Sequence, residues 1–291
     1  MLSQALQFFF SGLTSGAIYA LAAIGFTIIY NSSGVINFAQ GEFIMVGGVV
    51  AVMLTDAGVP LPLAIAIAVA VAGIVGLLLE KLAIEPAGNA EVVTLIIITI
   101  GASIFIQGVV QVVFGKGQRA LPPFTGDKPI LFGSASLLPQ SLWMIGTGAL
   151  IVLMLAWFFG RTRLGKAVLA TAHNRLAAQL VGINTRHVLA VSFVLSALVG
   201  GVAGVVSAPI TLTSYDTGIM VGLKGFVAAT LGGLGSGAGA VVGGLILGLM
   251  EALVAGYVSS AYKDAVPFVL IILILFFMPR GLFGERVTER V

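Results

Sequence analysis

Residues 65–79 read IAIAVAVAGIVGLLL, with no polar side chain among them. A strand of a membrane barrel alternates lipid-facing apolar residues with lumen-facing polar ones, and this run does not, so it predicts a helix. It belongs to an apolar block near 61–80, about the 20 residues that a helix rising about 1.5 Å per residue needs to cross a bilayer. Outward from it the chain shows eight more blocks, near 8–30, 35–54, 92–114, 138–160, 187–210, 217–234, 238–258 and 265–279. Glycines and polar residues interrupt the second and seventh. Hydrophobic residues make up 59% of the chain and charged ones 9%, against roughly a quarter charged in a soluble domain. The fold class is therefore all-α: a polytopic transmembrane bundle of about nine spans (8–10), forming a single membrane domain over 1–291.

Several function classes fall away on composition. Without cysteine there is no disulfide or thiolate metal site, and His173 and His187 make no zinc-binding pattern. No cluster of nucleophile, base or metal ligands suggests an enzyme. The net charge of +3 is unclustered apart from one insert, which argues against nucleic-acid binding. The first cationic residue is Lys81, so the first block lacks a signal-peptide n-region and is expected to stay as a membrane helix. A P-loop would need a lysine after its glycines, and the glycine-rich run 232–248 has none.

The exception to the apolar pattern is the insert 161–187, which carries Arg161, Arg163, Lys166, Arg175 and Arg186 with no acid. Cytoplasmic loops are enriched in Lys and Arg, so the insert and the short tail 280–291 are assigned to the cytoplasm. The N-terminus then lies outside, as does 115–137, a Pro- and Gly-rich surface loop holding Lys116, Arg119 and Lys128 against Asp127. Between Gly165 and Gly182 the insert suits one amphipathic helix, with Leu169, Ala172, Leu176 and Leu180 on one face. Gly182 offers a left-handed stop, and Asn184 or Thr185 a cap for the next helix. Such a surface helix either orients the protein or docks another subunit.

Polar groups inside the blocks are candidates for a path, because lipid penalises them unless they face protein or water. Glu42 follows Asn37, Gln40 and Gly41, where an interrupted helix would present backbone termini to a substrate. Alternatively it pairs with Lys224, an isolated cation in the seventh block that could also snorkel. Thr99, Ser103, Gln107 and Gln111 recur every four residues on one helix face. That face either hydrogen-bonds to neighbouring helices or lines the route. Glu251 reads as a lone structural acid, and Glu80, Lys81, Glu85 and Glu91 as the solvated charges of a cytoplasmic turn. Glycines at four-residue spacing, 12/16, 200/204 and 235/239/243 with 244/248, read as internal helix packing.

Several motifs in order resemble the LivH-type permeases of branched-chain amino acid ABC transporters. They are Thr162-Arg163-Leu164-Gly165-Lys166-Ala167 with Ala177-Ala178 and Gly182-Ile183-Asn184-Thr185; Gly34-Val35-Ile36-Asn37-Phe38-Ala39-Gln40-Gly41-Glu42; Ser103-Ile104-Phe105-Ile106-Gln107; Leu231-Gly232-Gly233-Leu234-Gly235-Ser236; and Met278-Pro279 before Gly281-Leu282-Phe283-Gly284. Gln40 stands where that family often has His, and Leu169, His173 and Asn174 where it usually has Arg and two acids. The resemblance implies a permease subunit of an importer, not an enzyme, with no cofactor of its own. ATP would be used by two separate cytoplasmic ATPase subunits, beside a second homologous permease and an extracytoplasmic substrate-binding protein in a bacterial inner membrane. Branched-chain or other hydrophobic amino acids are the implied substrates, with urea, short amides or small carboxylates as the alternative. An ion-coupled carrier would have to work with the thin supply of Glu42, Glu251 and Asp216. The expected coupling residues are Gly165, Lys166, Ala167, Asn174, Arg175, Ala178, Gly182 and Ile183. The expected path residues are Asn37, Phe38, Gln40, Gly41, Glu42, Thr99, Ser103, Gln107 and Lys224.

Overall fold

The computed structural model describes residues 2–88, 90–132 and 135–284. The proposed cytoplasmic tail 280–291 lies outside the described residues from 285 onward. The helices are α1 (Leu2–Ser33), α2 (Gln40–Asp56), α3 (Leu61–Leu79), α4 (Val92–Phe114), α5 (Pro139–Arg161), α6 (Arg163–His173), α7 (Arg175–Leu180), α8 (Thr185–Thr211), α9 (Thr217–Gly232), α10 (Gly237–Tyr257) and α11 (Val266–Phe277). A π-turn, Glu80–Ile84, extends α3, and a 3₁₀ turn, Ser260–Ala265, leads into α11. Seven helical units among the described residues are long and apolar enough to cross a membrane: α1, α3 with its π-turn, α4, α5, α8, α10 and α11 with its 3₁₀ turn. The protein is a polytopic helical bundle.

The second and seventh blocks form helices of 17 and 16 residues, about 25 Å long at about 1.5 Å per residue and so shorter than the ~30 Å hydrocarbon core. The block near 35–54 needs a correction. Gly34 turns the chain at φ +72, residues 35–39 are not helical, and α2 starts only at Gln40, whose amide lies against Gly25 of α1. The segment therefore dips back about 12 Å past the end of α1, counting the eight residues from Gly25 to Ser33 at about 1.5 Å each.

Helix α1 is the centre of the bundle, packed against α10, α8, α9 and α5. The glycine spacing accounts for how closely. A Cβ on Gly16 would lie 2.9 Å from the Leu245 Cα, and one on Gly248 would overlap the Gly16 backbone. Likewise a Cβ on Gly204 would overlap the Ile44 carbonyl, and one on Gly47 the Gly201 carbonyl. Backbones in contact gain dispersion energy where lipid supplies no hydrophobic drive between helices. The packing reading holds for the helical glycines, whereas Gly235 lies in the turn before α10 at φ +96. Helices α4, α5 and α11 form the periphery and expose long apolar side chains such as Phe105, Leu153 and Phe276.

The 115–137 segment is a surface loop as expected, but it also holds a hairpin of β1 (Ile130–Phe132) and β2 (Ala135–Leu137), with Ile130 opposite Leu137. Arg119 exchanges backbone hydrogen bonds with Thr213 at 2.9 and 2.7 Å, and its guanidinium sits 3.2 Å from Asp56. The cations of this loop are thus partly answered by acid.

Candidate functional site

The polar residues of the re-entrant segment fasten α2 to its neighbours. The Asn37 Oδ1 accepts from the Ala39 N–H at 3.1 Å, and the Phe38 N–H donates to Thr99 Oγ1 of α4 at 3.2 Å. Gln40 is wholly buried. Its amide nitrogen donates to the Ser196 carbonyl at 3.4 Å, and the Ser196 hydroxyl lies between the Gln40 Oε1 and the Gly25 carbonyl. Gly41 brings α2 against α9, since a Cβ there would overlap the Gly218 carbonyl.

Glu42, 1% exposed, accepts from Ser103 Oγ and Gln107 Nε2 of α4, each at 2.8 Å, through one oxygen. Its other oxygen has no hydrogen-bond partner and faces Gly218, where a Cβ would come within 2.6 Å of it. Of the polar stripe of α4, Ser103 and Gln107 bond to α2 and Thr99 to the segment before it, while the Gln111 side chain has no hydrogen bond among the described residues. The alternative Glu42–Lys224 pair does not form. Lys224 instead reaches Glu251 at 2.9 Å, Asp264 at 2.7 Å and the Tyr19 hydroxyl at 3.3 Å. Glu251 is accordingly no lone acid, since Tyr19 also donates to it at 2.6 Å. The path candidates fall into two groups, one around Glu42 and one around Lys224.

Ser196, Tyr19, Asp264 and Gly218 were not read from the sequence as members of these groups. Their partners are distant in the chain, and only the Ser192/Ser196 spacing on α8 gave a local hint. One further correction concerns Glu80, expected as a solvated charge. It continues the buried row of α3, Ala64, Ala68, Ala72 and Gly76, by one more turn and is 0% exposed, and neither carboxylate oxygen has a hydrogen-bond partner; the Lys81 Nζ lies 3.7 Å away. Lys81 and Glu85 do behave as a surface pair at 2.6 Å, and the hydrogen bond from Lys81 holds the Glu85 carboxyl below its usual range.

The insert is two helices where one was expected. Asn174 breaks it, capping α7 by accepting from the Ala177 N–H at 2.9 Å, while Thr162 caps α6 by accepting from the Gly165 N–H at 2.9 Å. Gly182 ends the unit at φ +88, and Asn184 caps α8. The orientation also differs from expectation. Leu169, Ala172, Leu176 and Leu180 are exposed, and the face turned to the bundle carries Gly165, Val168, Thr171 and Ala178. Gly165 rests on the end of α5, where a Cβ would overlap the Phe158 carbonyl. Lys166, Asn174, Arg175 and Gly182 point outward, and Ala167 and Ile183 are half-buried. None of the insert's Arg and Lys residues has an ion-pair partner among the described residues.

Residues 8–275 match the family model described as "Branched-chain amino acid transport system / permease component". The chain belongs to this family. The permease is 37% identical over 303 residues to the high-affinity branched-chain amino acid transport system permease protein LivH of Escherichia coli (strain K12), covering 98% of this chain and 97% of that one. It is 36% identical over 302 residues to the permease protein BraD of Pseudomonas aeruginosa, covering 98% of each. A probable LivH of Methanocaldococcus jannaschii is 29% identical over 285 residues, covering 92% of this chain and 89% of that one. The resemblance read from the motifs is thereby shown over nearly the whole chain.

Proposed function

We propose that this permease is one of two related subunits forming the membrane path of an ATP-driven importer for branched-chain or other hydrophobic amino acids. It would work in a bacterial inner membrane with two cytoplasmic ATPase subunits and an extracytoplasmic binding protein, its N-terminus outside and its insert in the cytoplasm. The observation that carries this reading is the α6–α7 unit: a cationic surface whose charges find no ion-pair partner among the described residues, joined directly to the membrane helices α5 and α8.

The packing offers a route for work done on that surface. An ATPase that closes on ATP would push α6, whose Gly165 contact carries the push into α5, while Ala178 and the Asn184 cap carry it into α8. Helix α8 bears Ser196, and α2 follows it through Gln40 and the Gly204–Ile44 contact. The re-entrant segment around Asn37, Phe38 and Glu42 lies at the end of that series.

The test is uptake of leucine, isoleucine and valine by proteoliposomes holding the permease with its companion subunits. Uptake should need ATP and the ATPases. Uptake that persists without any ATPase subunit would refute the importer reading in favour of an ion-coupled carrier, and uptake of urea or short amides alone would redirect the substrate.

A further inference from the structure

At the end of the bundle opposite the insert, Lys224 and Tyr19 line a cavity of about 100 Å³ together with Ser15, Ser207, Thr213 and Thr217. Lys224 is 8% exposed. An ammonium has three donors and no acceptor; here it donates to Asp264 and to the Tyr19 hydroxyl, and Glu251 is its ion-pair partner at 2.9 Å without an aligned hydrogen bond. The two carboxylates differ sharply: Glu251 has a side chain 7% exposed on α10, whereas that of Asp264 is 47% exposed on the 3₁₀ turn.

We propose that this cavity is a subsite for the carboxylate of the transported amino acid, and that Asp264 is a tethered carboxylate holding Lys224 until the substrate replaces it. The inference rests on the amino-acid permease reading above. Releasing Glu251 would strand a buried charge. Asp264 needs only to complete its hydration, and Lys263 lies beside it in the sequence. At Lys224 the exchange is one carboxylate for another, and the substrate ammonium then takes the site from a sum of −1 (one cation, two carboxylates) to neutral.

The remaining lining suits the rest of the head group. Hydroxyls can accept from a substrate ammonium, and Ile18, Met220 and Val221 add apolar lining. About 100 Å³ corresponds to roughly three water volumes of about 30 Å³, enough for the ammonium and carboxylate but not for a leucine side chain. A subsite that reads the shared head group serves several hydrophobic amino acids equally.

The test is equilibrium binding of leucine, isovalerate (carboxylate without ammonium) and leucinamide (ammonium without carboxylate) to the purified, assembled complex without ATP. Asp264→Asn, at a half-exposed position that tolerates the change, should raise affinity for leucine and isovalerate about tenfold and leave leucinamide unchanged. Lys224→Met combined with Glu251→Gln, which keeps the buried charges balanced, should remove the gain. Equal gains for all three ligands, or none for the two carboxylates, would overturn the proposal. ATP-driven leucine uptake by the unaltered complex is read alongside. Intact uptake without a carboxylate-selective gain sinks the subsite alone, and a gain with isovalerate without leucine uptake sinks the branched-chain reading alone.

Discussion

Glu42 shows how far a single residue's chemistry carries in this bundle. Its carboxylate spends one oxygen on Ser103 and Gln107 and leaves the other bare against Gly218. Hydrogen bonds between membrane helices average about 0.6 kcal/mol, so Glu42→Ala should cost about 1 kcal/mol of bundle stability, while Glu42→Gln, which keeps the shape and one acceptor, should cost less. Thermal unfolding of the detergent-solubilised permease measures both, and equal losses would show that the charge, not the bonds, matters. Transport separates a second role. If the bare oxygen serves the path, Glu42→Gln lowers uptake out of proportion to its small loss of stability.

Among the elements, the α6–α7 unit is held by its caps and by one close backbone approach. Gly165→Leu cannot be accommodated without lifting α6 off Phe158, so ATP hydrolysis by the assembled complex should continue while uptake falls at least tenfold. Membrane insertion should be normal, because Gly165 lies outside the spans, and uptake at the unaltered level would refute the contact as a coupling point. The sequence was legible where a signal is local. The four-residue spacing of Thr99, Ser103 and Gln107 announced a polar helix face, and Gly182 announced its left-handed stop. What it hid depends on contacts across the chain. Asn174 reads equally as a helix-interior residue or a cap until the chain direction is known, and hydrophobic periodicity alone cannot say whether Leu176 and Leu180 turn toward the bundle or away from it. The burial of Glu80 was marked by the row Ala64, Ala68, Ala72 and Gly76 at four-residue spacing, but its charge argued the other way. Lys224 found its partner Asp264 40 positions onward, on a turn whose sequence carries no mark of it.

For the molecule as a whole, stability rests on backbones brought together at glycine, between α1 and α10 and between α2 and α8. The glycines divide by what surrounds them. At Gly248 a side chain would overlap the Gly16 backbone, whereas at Gly101 and Gly108 on the peripheral α4 nothing lies within 4 Å of an added Cβ. Overpacking a close-packed interior costs about 1–3 kcal/mol or more, and here the obstacle is backbone that no rotamer change can clear. Gly248→Leu should therefore abolish the folded permease, seen as loss of the monodisperse peak in detergent. At the α4 positions alanine is favoured over glycine by about 1 kcal/mol in a helix, so Gly108→Ala should fold at least as well as the unaltered chain and transport at its rate. If Gly108→Ala instead impaired assembly with the second permease while the isolated chain folded normally, α4 would be a subunit face and not a lipid-facing one, since a single added methyl matters only where another backbone comes that close.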